Sequence, residues 1–299
     1  MSEYLPTKSL VGDRTGHRYV LLDVFTHTPF SGNPLAVFPE AEAIDEADMA
    51  RIAAELNLSE TVFITDRQPG RYVIRIFTPE GELPFAGHPS VGTAWLIRAL
   101  GWHDGDAPLV LVENVGDVAI RFSSDGAELT TAQPLTVSED SLSREKAAAI
   151  LGLPPAAVVS APVLASCGTP YHLVELSGLD ALARIDIDVG ELRSSTCGFD
   201  TGSLYAFVRQ GGNRLRARMF APLTGTPEDP ATGSAAAPLI GYLSSQTTET
   251  GTIDWEIVQG VEMGRSSRIQ GRVERSADGI DAIRIAGDAV IVGEGTLYL

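Results

Sequence analysis

The chain has little cysteine, no long hydrophobic run and a deficit of basic side chains, and each shortage removes a class of function. Two cysteines in 299 residues, Cys167 and Cys197, cannot build a disulfide framework or a zinc set, so a reducing cytoplasm is expected. No apolar stretch approaches the roughly 18 residues of a membrane span, and the start, MSEYLPTKSLVGDRTGHRYV, lacks the basic end and apolar block of a signal peptide. That start is expected to be a loose polar tail, and no membrane partner is expected. With 22 basic against 39 acidic side chains the net charge is −17, which argues against a nucleic-acid partner because phosphate binding needs clustered Lys and Arg. An anionic substrate would have to be held by locally arranged donors. His17, His27, His103 and His172 lack metal-ligand spacing, and there is no Walker loop, Gly-x-Ser-x-Gly elbow or dinucleotide fingerprint after a strand. No metal or cofactor is expected.

What the chain does contain is a motif written twice. RIFTPEGELPFAGHPSVGTAW, from Arg75, returns as RMFAPLTGTPEDPATGSAAAP, from Arg218. Arg75 falls on Arg218, Phe77 on Phe220 and Pro79 on Pro222; after a two-residue slip, His88 falls on Asp229, Pro89 on Pro230 and Gly92 on Gly233. A second echo, SGNPLAVF at Ser31 and CGTPYHLV at Cys167, precedes its partner motif by a similar distance in both halves, so an internal duplication is expected. Each copy reads as a strand, a Phe-x-Pro corner, a polar loop and a helix. His88 or Asp229 is expected at the N-cap and the following proline at the first helical position.

The helices after His88 (PSVGTAWLIRALG) and after Asp229 (PATGSAAAPLIGYL) are apolar on nearly every side, the pattern of a helix buried all round. Strand candidates such as RYVLLDVF, LAVF, TVFI and RYVIRIFT come in runs instead of alternating with helices, which does not fit a doubly wound parallel sheet. The expected fold is therefore α+β: two pseudo-symmetric lobes, residues 1–133 and 134–299, each a strongly curled β-sheet wrapped around one central apolar helix. The last strands are free to cross back to the first lobe, and the chain is long enough for two separate cores.

Two helix starts facing each other across a cleft would offer unpaired N–H groups and positive dipole ends to a carboxylate. Gly87, Gly92, Gly233 and Ser234 are small enough to let a ligand reach the backbone, or else small only so that a buried helix packs closely. His88 is a donor or proton carrier, or a turn residue capping its own helix. Asp229 followed by proline is a very good N-cap and needs no other role. Glu60, in NLSETVF, enters an apolar strand where the pKa of a carboxylate should rise.

At these residues the chain resembles a known family. DVFTHTPFSGNPLAVF, ELNLSETVFI, RIFTPEGELPFAGHPSVGTA, EDPATGSAAAPL and IVQGVEMGRSSRI are similar, in order, to the motifs of the PhzF-like phenazine-biosynthesis isomerases, from about Tyr19 to the C-terminus. The resemblance implies the two-lobed fold of diaminopimelate epimerase and a cofactor-free, metal-free isomerase, typically a homodimer, with its active site between the lobes. The phenazine enzyme acts on trans-2,3-dihydro-3-hydroxyanthranilate through the carboxylate of its Ser-Glu motif. Carried over, this makes Glu60 the general acid/base with Ser59 beside it, His88 and Asp229 its catalytic companions, and Gly87, Gly233 and Ser234 substrate-binding residues. Diaminopimelate epimerase places a cysteine near each helix start, whereas Cys167 and Cys197 lie outside the motifs, so a two-thiol racemase is not expected. The leading reading is an isomerase moving a proton between carbons of a small anionic, cyclic carboxylate. A non-thiol epimerase or racemase of a small amino acid, and a non-catalytic ligand-binding member of the family, are the alternatives.

Overall fold

The computed structural model describes residues 14–104, 107–138 and 140–299; the expected polar tail lies, through residue 13, outside the described residues. The first half runs β1 (Gly16–Val24), β2 (Asn33–Phe38), α1 (Glu46–Leu56), β3 (Thr61–Gln68), β4 (Arg71–Thr78), β5 (Gly81–Leu83), α2 (Gly87–Ala99), β6 (Leu109–Glu113), β7 (Gly116–Ser123) and β8 (Gly126–Thr130). The second runs β9 (Thr136–Ser138), α3 (Arg144–Ile150), β10 (Val163–Ser166), β11 (Pro170–Glu175), α4 (Leu179–Ala183), α5 (Val189–Ser195), β12 (Leu204–Arg209), β13 (Arg214–Ala221), β14 (Thr226–Asp229), α6 (Gly233–Ser245), β15 (Gly251–Gln259), β16 (Ser267–Ser276), β17 (Gly279–Gly287) and β18 (Ala289–Tyr298).

The duplication is visible in the pairing. In the first half β1 pairs antiparallel with β2, β2 parallel with β3, β3 antiparallel with β4, β4 parallel with β6, and β6–β7–β8 continue antiparallel. The order β10, β11, β12, β13, β15, β16, β17 repeats each of these relations. A parallel pair needs a crossover, and in both halves the second crossover carries a short return strand, β5 or β14, and then the buried helix. Strand β18 pairs with β1, and β17 with β8, so strands late in the chain close against the first half.

The paired arginines explain why the motif is written twice. Arg75 on β4 grips Glu82 on β5 through two hydrogen bonds of 2.7 and 2.6 Å, and Arg218 on β13 grips Glu228 on β14 through two of 2.8 Å. Each guanidinium also sits over the phenylalanine two residues on, 5.2 Å from the Phe77 ring and 4.9 Å from that of Phe220. These clamps fix the return strand that delivers the chain to each buried helix. The Arg218 side chain is only 9% exposed, and breaking such a buried pair from one side costs about 3–5 kcal/mol.

Both helices are enclosed as their composition demands. Helix α2 packs against β1, β2, β3, β6, β8 and β18, and α6 against β10, β11, β15, β16 and β17. A Cβ on Gly92 would stand 2.6 Å from Val24 Cγ2 and 2.7 Å from Leu35 Cδ2. Gly92 thus serves close helix–sheet packing and not ligand approach. The expectation of two separate cores fails: one cluster runs from Val20, Leu35 and Leu96 through Phe25 to Ile240 and Ile283, because the β8–β17 pairing makes the two sheets continuous. Helices α4 and α5, five and seven residues long, escape a periodicity reading because neither completes two turns.

The helix starts also differ from expectation. Ala86, extended at φ −151°, is the N-cap of α2, which places His88 inside the first turn. Thr232 is the N-cap of α6, and Asp229 is the last residue of β14. The Asp-Pro and His-Pro pairs mimic a cap signal, but the carboxyl of Asp229 is taken by the side chains of Asn33 and Thr232 instead of helix N–H groups. No described helix is long and apolar enough to cross a membrane.

Candidate active site

The starts of α2 and α6 meet. A Cβ on Gly87 would lie 3.7 Å from the backbone nitrogen of Ser234, so the first turns of the two helices stand side by side with their unpaired N–H groups and positive ends in one place. Between them opens a cavity of about 260 Å³ lined by Ser59, Glu60, Gly87, His88, Asp229, Gly233 and Ser234, together with Phe85, Thr169, Tyr171 and Met219. All seven site residues expected from the sequence come together on this one cavity.

Glu60 sits just ahead of β3, one residue before the buried Thr61. Its side chain is 18% exposed, Oε2 is buried without a hydrogen-bond partner, and that oxygen lies 3.4 Å from His88 Nδ1. Burial pushes Glu60 up to about 7, with Ser59 pulling the other way. His88, 6% exposed, is pushed down to about 4 by burial against the attraction of Asp229. Asp229, 8% exposed, is raised to about 6, by burial first and by Glu60, against the pull of His88 and of its hydrogen bonds. Near neutral pH the imidazole is therefore uncharged and Asp229 mostly ionised, while Glu60 is poised between its two forms. Titratable groups held apart in this way can divide acid, base and electrostatic roles.

Asp229 is fixed by a network that the sequence does not announce. Asn33, buried at the start of β2, donates to Asp229 Oδ1 at 2.9 Å and to the Ala231 carbonyl at 2.9 Å. Ser59 Oγ donates to Asn33 Oδ1 at 3.3 Å, and Thr232 Oγ1 donates to Asp229 Oδ2. Gln259 at the end of β15 donates to the Asp229 carbonyl at 2.7 Å and accepts from Tyr205 at 2.9 Å. Tyr171 and Ser234 share a hydrogen bond of 2.7 Å at the mouth of α6. Asn33, Tyr171 and Gln259 stand in the quoted SGNP, CGTPYHLV and IVQGVEMG stretches. Their meeting around Asp229, across 196 positions of chain in the case of Asn33, is a product of the fold alone.

A second cavity of about 220 Å³ shares the wall Phe85, Gly87, Thr169, Gly233 and Ser234 with the first and bears no charged lining residue. Cys167 lines it, and burial pushes its thiol up to about 12, far from the thiolate a cysteine base needs. Cys197 is exposed elsewhere.

The model of the phenazine biosynthesis-like protein (PhzC-PhzF) family matches residues 22–295 of the chain. The trans-2,3-dihydro-3-hydroxyanthranilate isomerase of Pseudomonas fluorescens is 37% identical over 292 residues, covering 95% of this chain and 100% of that protein. Among solved structures, a phenazine biosynthesis protein of the PhzF family from Bacillus anthracis superposes with a TM-score of 0.88 at 24% identity, covering 95% of this chain and 100% of that one. A protein from Pseudomonas aeruginosa described as a predicted epimerase gives 0.77 at 30% identity, covering 94% and 99%. The α+β fold is thereby shared with a PhzF-family protein and with a protein described as a predicted epimerase.

Proposed function

The chain belongs to the phenazine biosynthesis-like protein family and is an isomerase, and from that premise we propose that it moves a proton between two carbons of a small cyclic carboxylate without a cofactor, with Glu60 as the general acid/base. One observation carries the reading: a buried carboxyl poised near 7 faces a cavity whose other wall is the meeting point of two helix starts. The substrate carboxylate is held by the N–H groups around Gly87, Gly233 and Ser234, where the dipole ends favour an anion. Glu60 takes a proton from one carbon and returns it to another, so atoms and charge balance with no redox partner. Asp229 stays ionised beside it, and His88, neutral, orients or relays.

The spacing weighs against an epimerase that uses Glu60 and His88 on opposite faces, since 3.4 Å between them leaves no room for a carbon centre. The test is direct: the protein is incubated with trans-2,3-dihydro-3-hydroxyanthranilate, the substrate named for the Pseudomonas fluorescens relative, in deuterated water. Turnover with some direct return of substrate hydrogen supports a single shuttling base. Obligatory delivery from solvent through a second residue removes it.

Gly87→Ala separates binding from folding. The new methyl meets nothing closer than the Ser234 nitrogen at 3.7 Å, and alanine is favoured over glycine in a helix by up to about 1 kcal/mol. We expect unchanged or slightly higher stability with KM raised about tenfold or more, because the methyl covers the N–H groups that would receive the carboxylate. Wild-type KM in that variant would remove the anion site from the proposal.

The working form proposed is a cytoplasmic homodimer. The two free thiols fit a reducing compartment, and symmetric dimers are the commonest oligomers. Light scattering at micromolar concentration should give twice the chain mass of 31.7 kDa; a monomer there would discard the dimer and leave the mechanism intact.

A further inference from the structure

A further buried carboxyl stands behind the catalytic wall, and the proposed reaction does not use it. Glu113 closes β6, is 5% exposed, and has one oxygen, Oε2, buried without a partner. Its other oxygen lies 2.7 Å from Ser90 Oγ, and the same Oγ lies 2.7 Å from the carbonyl of Ala86. Ser90 is fully buried in α2, and Ala86 is the N-cap of that helix.

The protons along this chain can be counted. Ser90 has one hydroxyl hydrogen, and the Ala86 carbonyl can only accept. If Ser90 donates to Ala86, the usual i to i−4 bond of a helical serine, then the short contact to Glu113 needs a proton from the carboxyl itself. If Ser90 donates to an ionised Glu113 instead, its oxygen faces the Ala86 carbonyl with no hydrogen between them, and a charged carboxylate is left in the interior with an orphaned oxygen, at a cost of several kcal/mol. Only the neutral acid satisfies both contacts. The direction of its titration agrees, since burial pushes Glu113 up to about 7 with Ser90 alone opposing.

The same strand end holds the neighbouring backbone, because Val115 N–H donates to the Pro84 carbonyl at 3.0 Å. Residues 84–86 are thus tied to the end of β6 from two sides, and Gly87 and His88 follow directly. The structure assigns protonated Glu113 as a positioning residue that fixes the start of α2, through Ser90 and the Ala86 carbonyl, and with it the Gly87–His88 wall of the catalytic cavity.

Glutamine can donate an amide hydrogen to Ser90 where alanine cannot, so the pair of variants reads the role. In Glu113→Ala the Ser90 amide, which donates to the Ala86 carbonyl at 3.2 Å, should exchange with deuterium about tenfold faster, and KM for trans-2,3-dihydro-3-hydroxyanthranilate should rise about tenfold with kcat changing less. Glu113→Gln should restore most of both. At about pH 5.5, below the value of about 7 to which burial lifts Glu113 and above that of an ordinary glutamate, the infrared difference between wild type and Glu113→Gln should contain the carbonyl stretch of a protonated carboxylic acid. A Gln variant as impaired as the Ala variant, an Ala variant with wild-type exchange, or a difference spectrum showing an ionised carboxylate each overturns the assignment. If Glu113→Ala does not fold, the Gln variant and the infrared difference still decide. The exchange and infrared readouts need no substrate, so failure of the proposed reaction would leave them standing.

Discussion

Glu60→Gln is expected to lose at least about 10²-fold in turnover while still binding substrate, because a positioned proton-transfer group contributes roughly 10²–10⁴ in rate. The substitution is nearly isosteric, and it breaks little: Glu60 Oε2 has no hydrogen-bond partner in the protein, so an amide there disturbs no established contact on that side. The groups proposed to hold the carboxylate belong to the starts of α2 and α6 and do not depend on residue 60. KM should therefore stay near the wild-type value while kcat collapses, the signature of an interaction made only in the transition state. The wild-type rate should rise with the ionised fraction of Glu60 as pH passes about 7, if proton removal comes first, and that limb should vanish in the variant's residual activity. Steady-state turnover with a direct binding measurement checks this. A variant within tenfold of wild type would take the proton shuttle away from Glu60 and leave Asp229 as the remaining carboxylate on the cavity.

The duplication is legible in the amino-acid sequence because its cause is repeated in side chains: Arg75 and Arg218 each grip an acid on a return strand and each lie over a phenylalanine. The enclosure of α2 and α6 is legible because no polar face survives on either. The helix starts mislead for a physical reason. A proline after His or Asp signals a helix start in general, but at α6 the carboxyl of Asp229 is drawn off by Asn33 and Thr232, and helix geometry begins only at Gly233. The difference matters for function, because a capping aspartate would be a bystander, whereas Asp229 is buried on the cavity and ionises in response to Glu60 and His88. Asn33 and Gln259 lie in quoted motifs, but nothing local marks them as partners of Asp229, and Glu113 carries no local signal at all. Asn33 bonds to a residue 196 positions away, and Glu113 is an ordinary end of strand until Ser90 is placed above it.

Removing the Glu60 carboxyl is expected to make the protein more stable, and increasingly so as pH rises. The folded-state value of Glu60 lies near 7 against 4.5 for the free group, so the folded chain holds this proton more tightly than the unfolded chain does. Stability from that source is fully present below about 4.5 and is lost as pH rises through about 7. At 1.36 kcal/mol per pH unit the loss is at most about 3 kcal/mol; with the side chain 18% exposed, about 2 kcal/mol is the better expectation. Glutamine has no such proton to lose. Glu113 and Asp229 contribute with the same sign, and His88, whose value is lowered to about 4, contributes with the opposite sign, gaining stability as pH rises from about 4 to 6.5. These three are present in wild type and variant alike and largely cancel in the difference; the one that does not cancel, Asp229, is released from repulsion by Glu60 and shifts the result in the same direction. Urea unfolding at about pH 5.5 and about pH 8 should therefore show the advantage of Glu60→Gln growing by about 1 kcal/mol between the two, the rest of the loss falling below about pH 5.5. An advantage of equal size at both would mean that Glu60 is not held out of its ordinary range, and the poised carboxyl on which the proposed mechanism depends would be lost with it.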